Sequence, residues 1–299
     1  MLQYFVECVE DTEAKSICLA LDNIKRHIIA GDYSDSDLLD TFCSILFDKI
    51  QENAIREGNE RKANAQYVFH HYFRLFILVS KYFSMLERKE FIESWNVLQD
   101  CLDEIKYIGR FTSERYDLSD LVELLVDYES LYPYSIFASG EYVVSKAHCS
   151  ICGKSMLDLS CPHIAGNVYW GEQAVEVIDE ITQIKAISVV QHPRDKRCVL
   201  TLADDTRTEE EKFYRLSNYL QLNLPRLQCF SIESKMETRE RTEIPKVCAN
   251  DLCPCGSGIK YKKCCSKKRF YKHERLIVTQ KRTITLKLFS ESQSEQSDR

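Results

Sequence analysis

From about residue 12 to residue 132 the apolar positions repeat with the period of an α-helix. Ile17, Leu21, Ile24 and Ile28 step by four, three and four, and Gly31 follows where a C′ glycine belongs. Ser34 and Asp35 then open a second predicted helix, with Leu38, Phe42, Ile45, Leu46 and Ile50 on its inward face, up to Gly58 and Asn59. A third and longest helix carries Val68, Tyr72, Leu75, Phe76, Val79, Phe83 and Leu86. The fourth places Phe91, Trp95, Leu98, Leu102 and Ile105 on a narrow seam and stops at Gly109. Asp117 is the expected N-cap of a fifth, with Leu118, Leu121, Val122 and Leu125 inward, ending before Pro133. Five amphipathic helices with short connections predict an antiparallel bundle.

Between residues 168 and 205 the period shifts toward two. Residues 174–178, 184–190 and 198–202 read as three strands of a small sheet, the last two separated by Pro193, Arg194 and Asp195. Residues 206–222 return to helix, with Phe213, Leu216, Tyr219 and Leu220 on the apolar side. Residues 227–242 read as a strand, and Ile277, Val278 and 284–289 are strand-like segments expected to pair back onto the sheet. The tail from Ser290 is polar and is expected to be disordered. The predicted class is α+β: an N-terminal antiparallel helical bundle (1–140), a small zinc-stabilised β-rich domain (147–245), a C-terminal zinc knuckle with a basic strand extension (246–289) and a tail (290–299).

Composition changes this picture in two respects. Over 299 residues, 44% hydrophobic and 29% charged content is ordinary for a globular chain, and net charge is −6. The charge is uneven, however. From Lys246 to Lys287 twelve Lys and Arg face only Asp251 and Glu274, so a strongly basic segment sits in an acidic chain. The most apolar window, residues 67–86, is broken by His70, His71, Arg74 and Lys81, which makes it a poor candidate for crossing a bilayer. The N-terminus lacks the basic start and long apolar run of a signal peptide, and fourteen cysteines fall at close spacings. Together these predict a cytoplasmic, reduced protein whose thiols serve metal sites and buried positions.

The cysteines carry the chemistry. Cys253 and Cys255 are separated from Cys264 and Cys265 by eight residues that include Gly256, Gly258, Lys260, Tyr261, Lys262 and Lys263. Zinc takes four soft or borderline ligands in a tetrahedron, so each short pair must fold its thiolates onto one point, and Pro254 with the glycines supplies the turn. So few aliphatic residues build no core, which argues against four merely buried thiols. The run CPCGSG followed by KYKKCC resembles the SEC-C zinc-binding motif over residues 248–268. In that family the motif ends the SecA preprotein translocase, where it contacts the export chaperone and the ribosome. It also occurs as an appendage on unrelated bacterial proteins. The resemblance implies a zinc-folded docking module rather than a reaction, although here some thirty residues follow it.

A second cluster, Cys149, Cys152, Cys161 and His163, has the Cys-x2-Cys-Gly turn of a knuckle and a Cys-x-His pair to close the tetrahedron. His148, His192 and Cys198 are alternative fourth ligands. The run CPHIAGNVYWGE from Cys161 resembles a zinc-binding loop of phage-related bacterial proteins, which implies a mobile-element or phage-defence setting. Two structural Zn2+ ions are therefore expected, each with four protein ligands and no open position for substrate.

Lys260, Lys262, Lys263, Lys267, Lys268 and Arg269 form the expected partner-binding surface, suited to phosphates of nucleic acid, to the ribosome or to an acidic protein. An oligomeric state is not encoded in any motif. The bundle holds no nucleophile and base at a productive spacing. An enzymatic alternative places Asp205, Glu233 and Lys235 around a divalent ion as in metal-dependent nucleases. The reading favoured is a zinc-binding interaction or adaptor protein without a visible reaction.

Overall fold

The computed structural model describes residues 5, 7–9, 12–33, 36–111, 116–155, 160–201, 207–241, 247–251, 253, 255 and 260–289. The chain is α+β and divides into two compact units. The first comprises Met1–Leu125, Tyr134–Thr201 and Thr285–Arg299; the second comprises Val126–Pro133 and Leu202–Ile284.

The helices of the first part of the chain are α1 (Thr12–Ala30), α2 (Ser36–Arg56), α3 (Glu60–Glu87), α4 (Phe91–Ile108) and α5 (Tyr116–Glu129). The long α3 is the centre of the bundle and packs against α1, α2 and α4. It is therefore apolar almost all round, with Phe69, Phe73, Leu75, Phe76, Val79, Tyr82 and Phe83 buried. Asn59 starts it by accepting the Lys62 N–H at 3.0 Å. On α1 the expected face is the buried one, with Ile17, Leu21, Ile24 and Ile28 inside.

On α2 the structure corrects the expected face. Cys43, Phe47, Ile50 and Ala54 are buried, whereas Leu38, Phe42 and Ile45 are 73%, 51% and 63% exposed. The buried set also steps by four, three and four, so two helical stripes compete on this helix. Phe47 decides between them. It lies 5.8 Å from Phe73, 6.3 Å from Phe69 and stacked 4.4 Å from the His70 ring.

The remainder of the first unit is a long two-stranded antiparallel ribbon, β1 (Phe137–Cys149) with β4 (Glu176–Val190). Between them lies a short hairpin, β2 (Val168–Tyr169) with β3 (Glu172–Gln173). Instead of three strands over 174–202 there is one continuous strand, and Val199 makes only an isolated bridge to Phe137. The ribbon base is held on α4: Trp95 Nε1 donates to the Lys196 carbonyl at 2.9 Å, and Arg197 bonds Asp100 at 2.6 Å and Asp103 at 2.9 Å.

The second unit repeats this construction. Its ribbon is β5 (Gln228–Glu240) with β6 (Phe270–Thr283), antiparallel and regular beyond Phe230. Two short helices, α6 (Glu209–Lys212) and α7 (Tyr214–Gln221), precede it, α6 opening on a Thr208–Glu211 capping box. Tyr128 anchors the small core, edge-on to Tyr219 and Phe230 and donating to the Arg226 carbonyl at 3.1 Å. Residues 284–289, expected as a strand, continue past β6 without strand structure. The expected N-cap pair Ser34 and Asp35 and the tail lie outside the described residues, and Asp117 falls inside the first turn of α5.

Candidate metal centres

In each ribbon the tip, where a hairpin would have a tight turn, is a cysteine cluster. The first follows directly from β1, whose last residue is Cys149. The chain folds back on itself there: the Cys149 N–H donates to the Lys154 carbonyl at 2.7 Å and the Gly153 N–H to the Cys149 carbonyl at 2.9 Å. Gly153 has φ +70°, a left-handed conformation that glycine adopts freely. This knuckle brings Cys152 beside Cys149, and the Cys152 backbone N–H holds the Cys149 thiol below its ordinary pKa.

The other two donors come from the loop before β2. His163 Nδ1 lies 3.6 Å from Cys149 Sγ and 4.0 Å from Cys161 Sγ, and Cys152 Sγ lies 3.6 Å from Cys161 Sγ. All four donor atoms fall within 4.8 Å of one another. A tetrahedron with zinc–sulfur bonds of about 2.3 Å has S···S edges of about 3.8 Å and S···N edges of about 3.5 Å. The observed spacings are those edges, and far exceed a disulfide bond of about 2.05 Å. The His163 ring is fixed edge-on against Tyr169 at 4.8 Å, while the Tyr169 hydroxyl accepts the Ile164 N–H at 3.0 Å. His148 instead pairs with Asp179 at 2.7 Å, and Cys198 is exposed at the ribbon base. His163, and not His148, His192 or Cys198, completes the group of four potential donor atoms.

The β2–β3 hairpin pins this cluster to the bundle. Trp170 and Gly171 at its turn have φ +53° and +79°, the two left-handed residues of a type I′ turn. Gln51 Nε2 donates to the carbonyls of Trp170 and Gly171 at 3.3 Å each. Asn64 closes the contact from α3, accepting the Gly171 N–H at 2.9 Å and donating to the Val168 carbonyl at 3.2 Å. A Cβ on Gly171 would meet Gln51 Nε2 at 2.9 Å and the Ala63 carbonyl at 3.2 Å.

The second cluster lies between β5 and β6. Cys255 Sγ is 3.5 Å from Cys264 Sγ, Cys264 Sγ is 3.7 Å from Cys265 Sγ, and all four thiols including Cys253 lie within 4.8 Å of one another. A short 3-10 turn, Tyr261–Lys263, delivers Cys264 and Cys265, and its Tyr261 N–H and Lys262 N–H donate to the carbonyls of Asp251 and Ala249. Cys253, Cys265 and Tyr271 form a small buried cluster. Burial raises the Cys253 and Cys265 thiols above their ordinary pKa. A cation at the centre reverses that, because a coordinating thiol is deprotonated outright. The donor set and spacing fit a metal as a folding element and leave no protein-free coordination position. Pro254, Gly256 and Gly258, expected to make the turn, lie outside the described residues.

Residues 250–267 are a SEC-C motif. Short stretches of this chain match the protein translocase subunit SecA of several bacteria. The match to that of Maridesulfovibrio salexigens is 39% identical over 71 residues, 24% of this chain and 8% of that protein. The match to that of Nitratidesulfovibrio vulgaris is 83% identical over 23 residues, 8% of this chain and 3% of that protein. For Oleidesulfovibrio alaskensis it is 61% over 33 residues, 11% and 4%. The chain thus covers less than a tenth of each of these relatives. No solved structure matches it. The SEC-C match covers residues 250–267 and does not include the first cluster.

The cations around the SEC-C motif are all at the surface: Lys260, Lys262, Lys263, Lys267, Lys268 and Arg269 are exposed. Arg269 is paired with Glu240 at 3.4 Å and lies over the Phe270 ring at 5.3 Å. Glu233 and Lys235 of the nuclease alternative are exposed on one face of β5, and Asp205 lies outside the described residues. Among the described residues no cluster of ligating groups includes Glu233. No helix among the described residues is long and apolar enough to cross a membrane.

Proposed function

We propose that this chain is a zinc-binding adaptor of the cytoplasm that docks through its SEC-C knuckle on an anionic surface, an acidic protein or ribosomal nucleic acid. Zn2+ is the metal of both clusters and its role is structural. The observation that carries the reading is the convergence of four thiols within 4.8 Å of one another inside a SEC-C motif whose six neighbouring cations face solvent. Four protein donors exclude substrate from the metal, so the site offers a shape and a charge rather than a reaction. Binding of this kind is steered by charge and weakens with salt.

The test is affinity capture by the full chain beside a Lys260→Glu/Lys262→Glu/Lys263→Glu variant, with and without nuclease treatment. Capture of a nucleic acid or ribosomal particle, or of an acidic protein, that is lost in the variant supports the reading. Equal capture by both chains overturns it.

A further inference from the structure

A polar cluster lies in the seam between α3 and α4, inside the first unit. Glu104 on α4 is enclosed, its side chain 10% exposed, and both of its oxygens meet α3. One oxygen lies 2.8 Å from His71 Nδ1 and the other 3.4 Å from Arg74 Nε. A carboxylate on Nδ1 fixes the ring and its tautomer and leaves Nε2 as the basic nitrogen, which is how acid–base histidines are oriented. Among the described residues Nε2 has no hydrogen-bond partner, and the His71 side chain reaches the surface, 21% exposed.

Two tyrosines continue the seam. Tyr67, one turn before His71, meets its ring edge-on at 4.8 Å, and Tyr107, one turn after Glu104, approaches it at 4.4 Å. The Tyr107 hydroxyl donates to the Tyr67 hydroxyl at 3.2 Å, which commits the Tyr107 proton and leaves Tyr67 its own to give. Burial and the Tyr67 hydroxyl push the Tyr107 phenol above its ordinary pKa, so it remains a donor. Phe111 stands edge-on to Tyr107 at 5.2 Å, and the exposed Arg110 acts on the Tyr107 hydroxyl through its charge.

The ligand class follows from what this cluster has and what it lacks. Arg74, 55% exposed, presents its guanidinium to solvent beside the imidazole, and three aromatic rings follow along the seam. A shallow surface of cation and rings fits a single strand laid across it, with phosphate at the guanidinium and bases against the rings. No serine, threonine, cysteine or lysine is hydrogen-bonded to His71 among the described residues. The substrate must then bring its own nucleophile. RNA does so, because its 2′-hydroxyl stands beside the phosphodiester, and DNA has none there.

We propose that the α3–α4 seam is an RNA-cleaving site that works by attack of the 2′-hydroxyl on the neighbouring phosphate. His71 Nε2 takes the 2′-hydroxyl proton as the 2′-oxygen bonds to phosphorus, and Arg74 offsets the charge gathering on the non-bridging oxygens. The bond from phosphorus to the 5′-oxygen breaks, the 5′-oxygen takes the Tyr67 proton, and Tyr67 recovers one from the His71 imidazolium. The products are a 2′,3′-cyclic phosphate and a 5′-hydroxyl, with no water or oxidant consumed. Glu104 is a positioning residue that holds the imidazole. The site shares no residue with either cysteine cluster, so docking through the SEC-C motif and cleavage here stand or fall separately.

The test uses the full, metal-replete chain and a single-stranded RNA oligonucleotide of mixed sequence, beside the same sequence as DNA and as 2′-O-methyl RNA. The wild type should cut only the unmodified RNA, leaving 2′,3′-cyclic phosphate and 5′-hydroxyl ends by mass spectrometry. His71→Gln should lose at least about 100-fold in rate and Arg74→Gln about tenfold or more. Arg74 is exposed, so its substitution leaves the fold intact even where His71→Gln weakens it, as metal content and helical circular dichroism will verify. Glu104→Gln, which can still accept from Nδ1, should lower kcat about tenfold with KM unchanged, and a change confined to KM refutes its role. A wild type that leaves RNA uncut, cleavage of the 2′-O-methyl strand, or undiminished activity in His71→Gln or Arg74→Gln overturns the proposal.

Discussion

Lys25 on α1 is fully enclosed, at 2% exposure, and its ammonium donates to the backbone carbonyl of Lys287 at 2.9 Å. The same ammonium lies 4.6 Å above the Phe76 ring and 3.4 Å from the Tyr72 hydroxyl. One helical turn earlier, Asp22 accepts the Phe289 N–H at 2.7 Å. Two buried charges on one helix therefore fasten the segment 285–289 to the first unit. Removing the donor strands a buried carbonyl. Lys25→Met, which keeps most of the packing, is expected to cost about 1–2 kcal/mol, and Lys25→Ala about 2–4 kcal/mol. Urea midpoints measure both; a Lys25→Met chain as stable as the wild type would show that packing alone holds the segment.

Elemental analysis of the purified chain is expected to give two zinc ions per chain. Cys264→Ser/Cys265→Ser and Cys161→Ser/His163→Ala are each expected to lower this to one, and their combination to none. The helical circular dichroism signal persists in all three, because the bundle core of α1 to α4 contains none of these ligands. A combined variant that retains two equivalents of metal contradicts the assignment of both clusters.

Burial lowers the His70 pKa from 6.5 to about 4, so the folded chain holds this imidazole neutral against Phe47. The unfolded chain binds the proton first as pH falls. The stability conferred by the neutral ring is therefore complete above about pH 6.5 and is lost progressively from there down to about pH 4. The size is on the order of 2–3 kcal/mol. Metal release in acid adds to the effect in any single profile, so the measurement is a comparison. The difference in urea midpoint between the wild type and His70→Gln should change between pH 7.5 and pH 5, and a constant difference rules the mechanism out.

Gly171→Ala introduces two costs, a left-handed alanine and a Cβ at 2.9 Å from Gln51 Nε2. Together these are expected to destabilise the chain by about 1–3 kcal/mol. Placing the same substitution in a Gln51→Ala background should recover only the steric part. Full recovery would show that the turn conformation costs nothing here.

Much of the first unit could be read from apolar periodicity, because α1, α3 and α4 each present one stripe that is also the buried one. In α2 two stripes of equal period coexist, and only the position of Phe47 against α3, a tertiary fact, selects between them. The two groups of potential ligands that the fold gathers could be seen in the cysteine and histidine spacing, since such spacing is local and short range. The ribbons were harder. β1 interrupts its apolar residues with Ser139, Gly140, Glu141, Ser145 and Lys146, so they do not alternate as one strand face would. The spacing of Ile181, Ile184 and Ile187 speaks against a one-faced strand, and only the register, which leaves Thr182 and Lys185 of β4 without partners, restores one.

Both long hairpins have a cysteine cluster able to hold a metal where a tight turn would be, with 26 residues between Cys149 and Glu176 and 29 between Glu240 and Phe270. A loop of that length does not set strand register by itself, whereas a four-ligand knot at the tip does. Assembly of this chain is then expected to run in two stages, the helices condensing from sequence alone and the ribbons waiting for the ion. Any surface displayed by a ribbon thereby becomes conditional on metal supply, and a newly made chain in a metal-starved cell would be helical but mute.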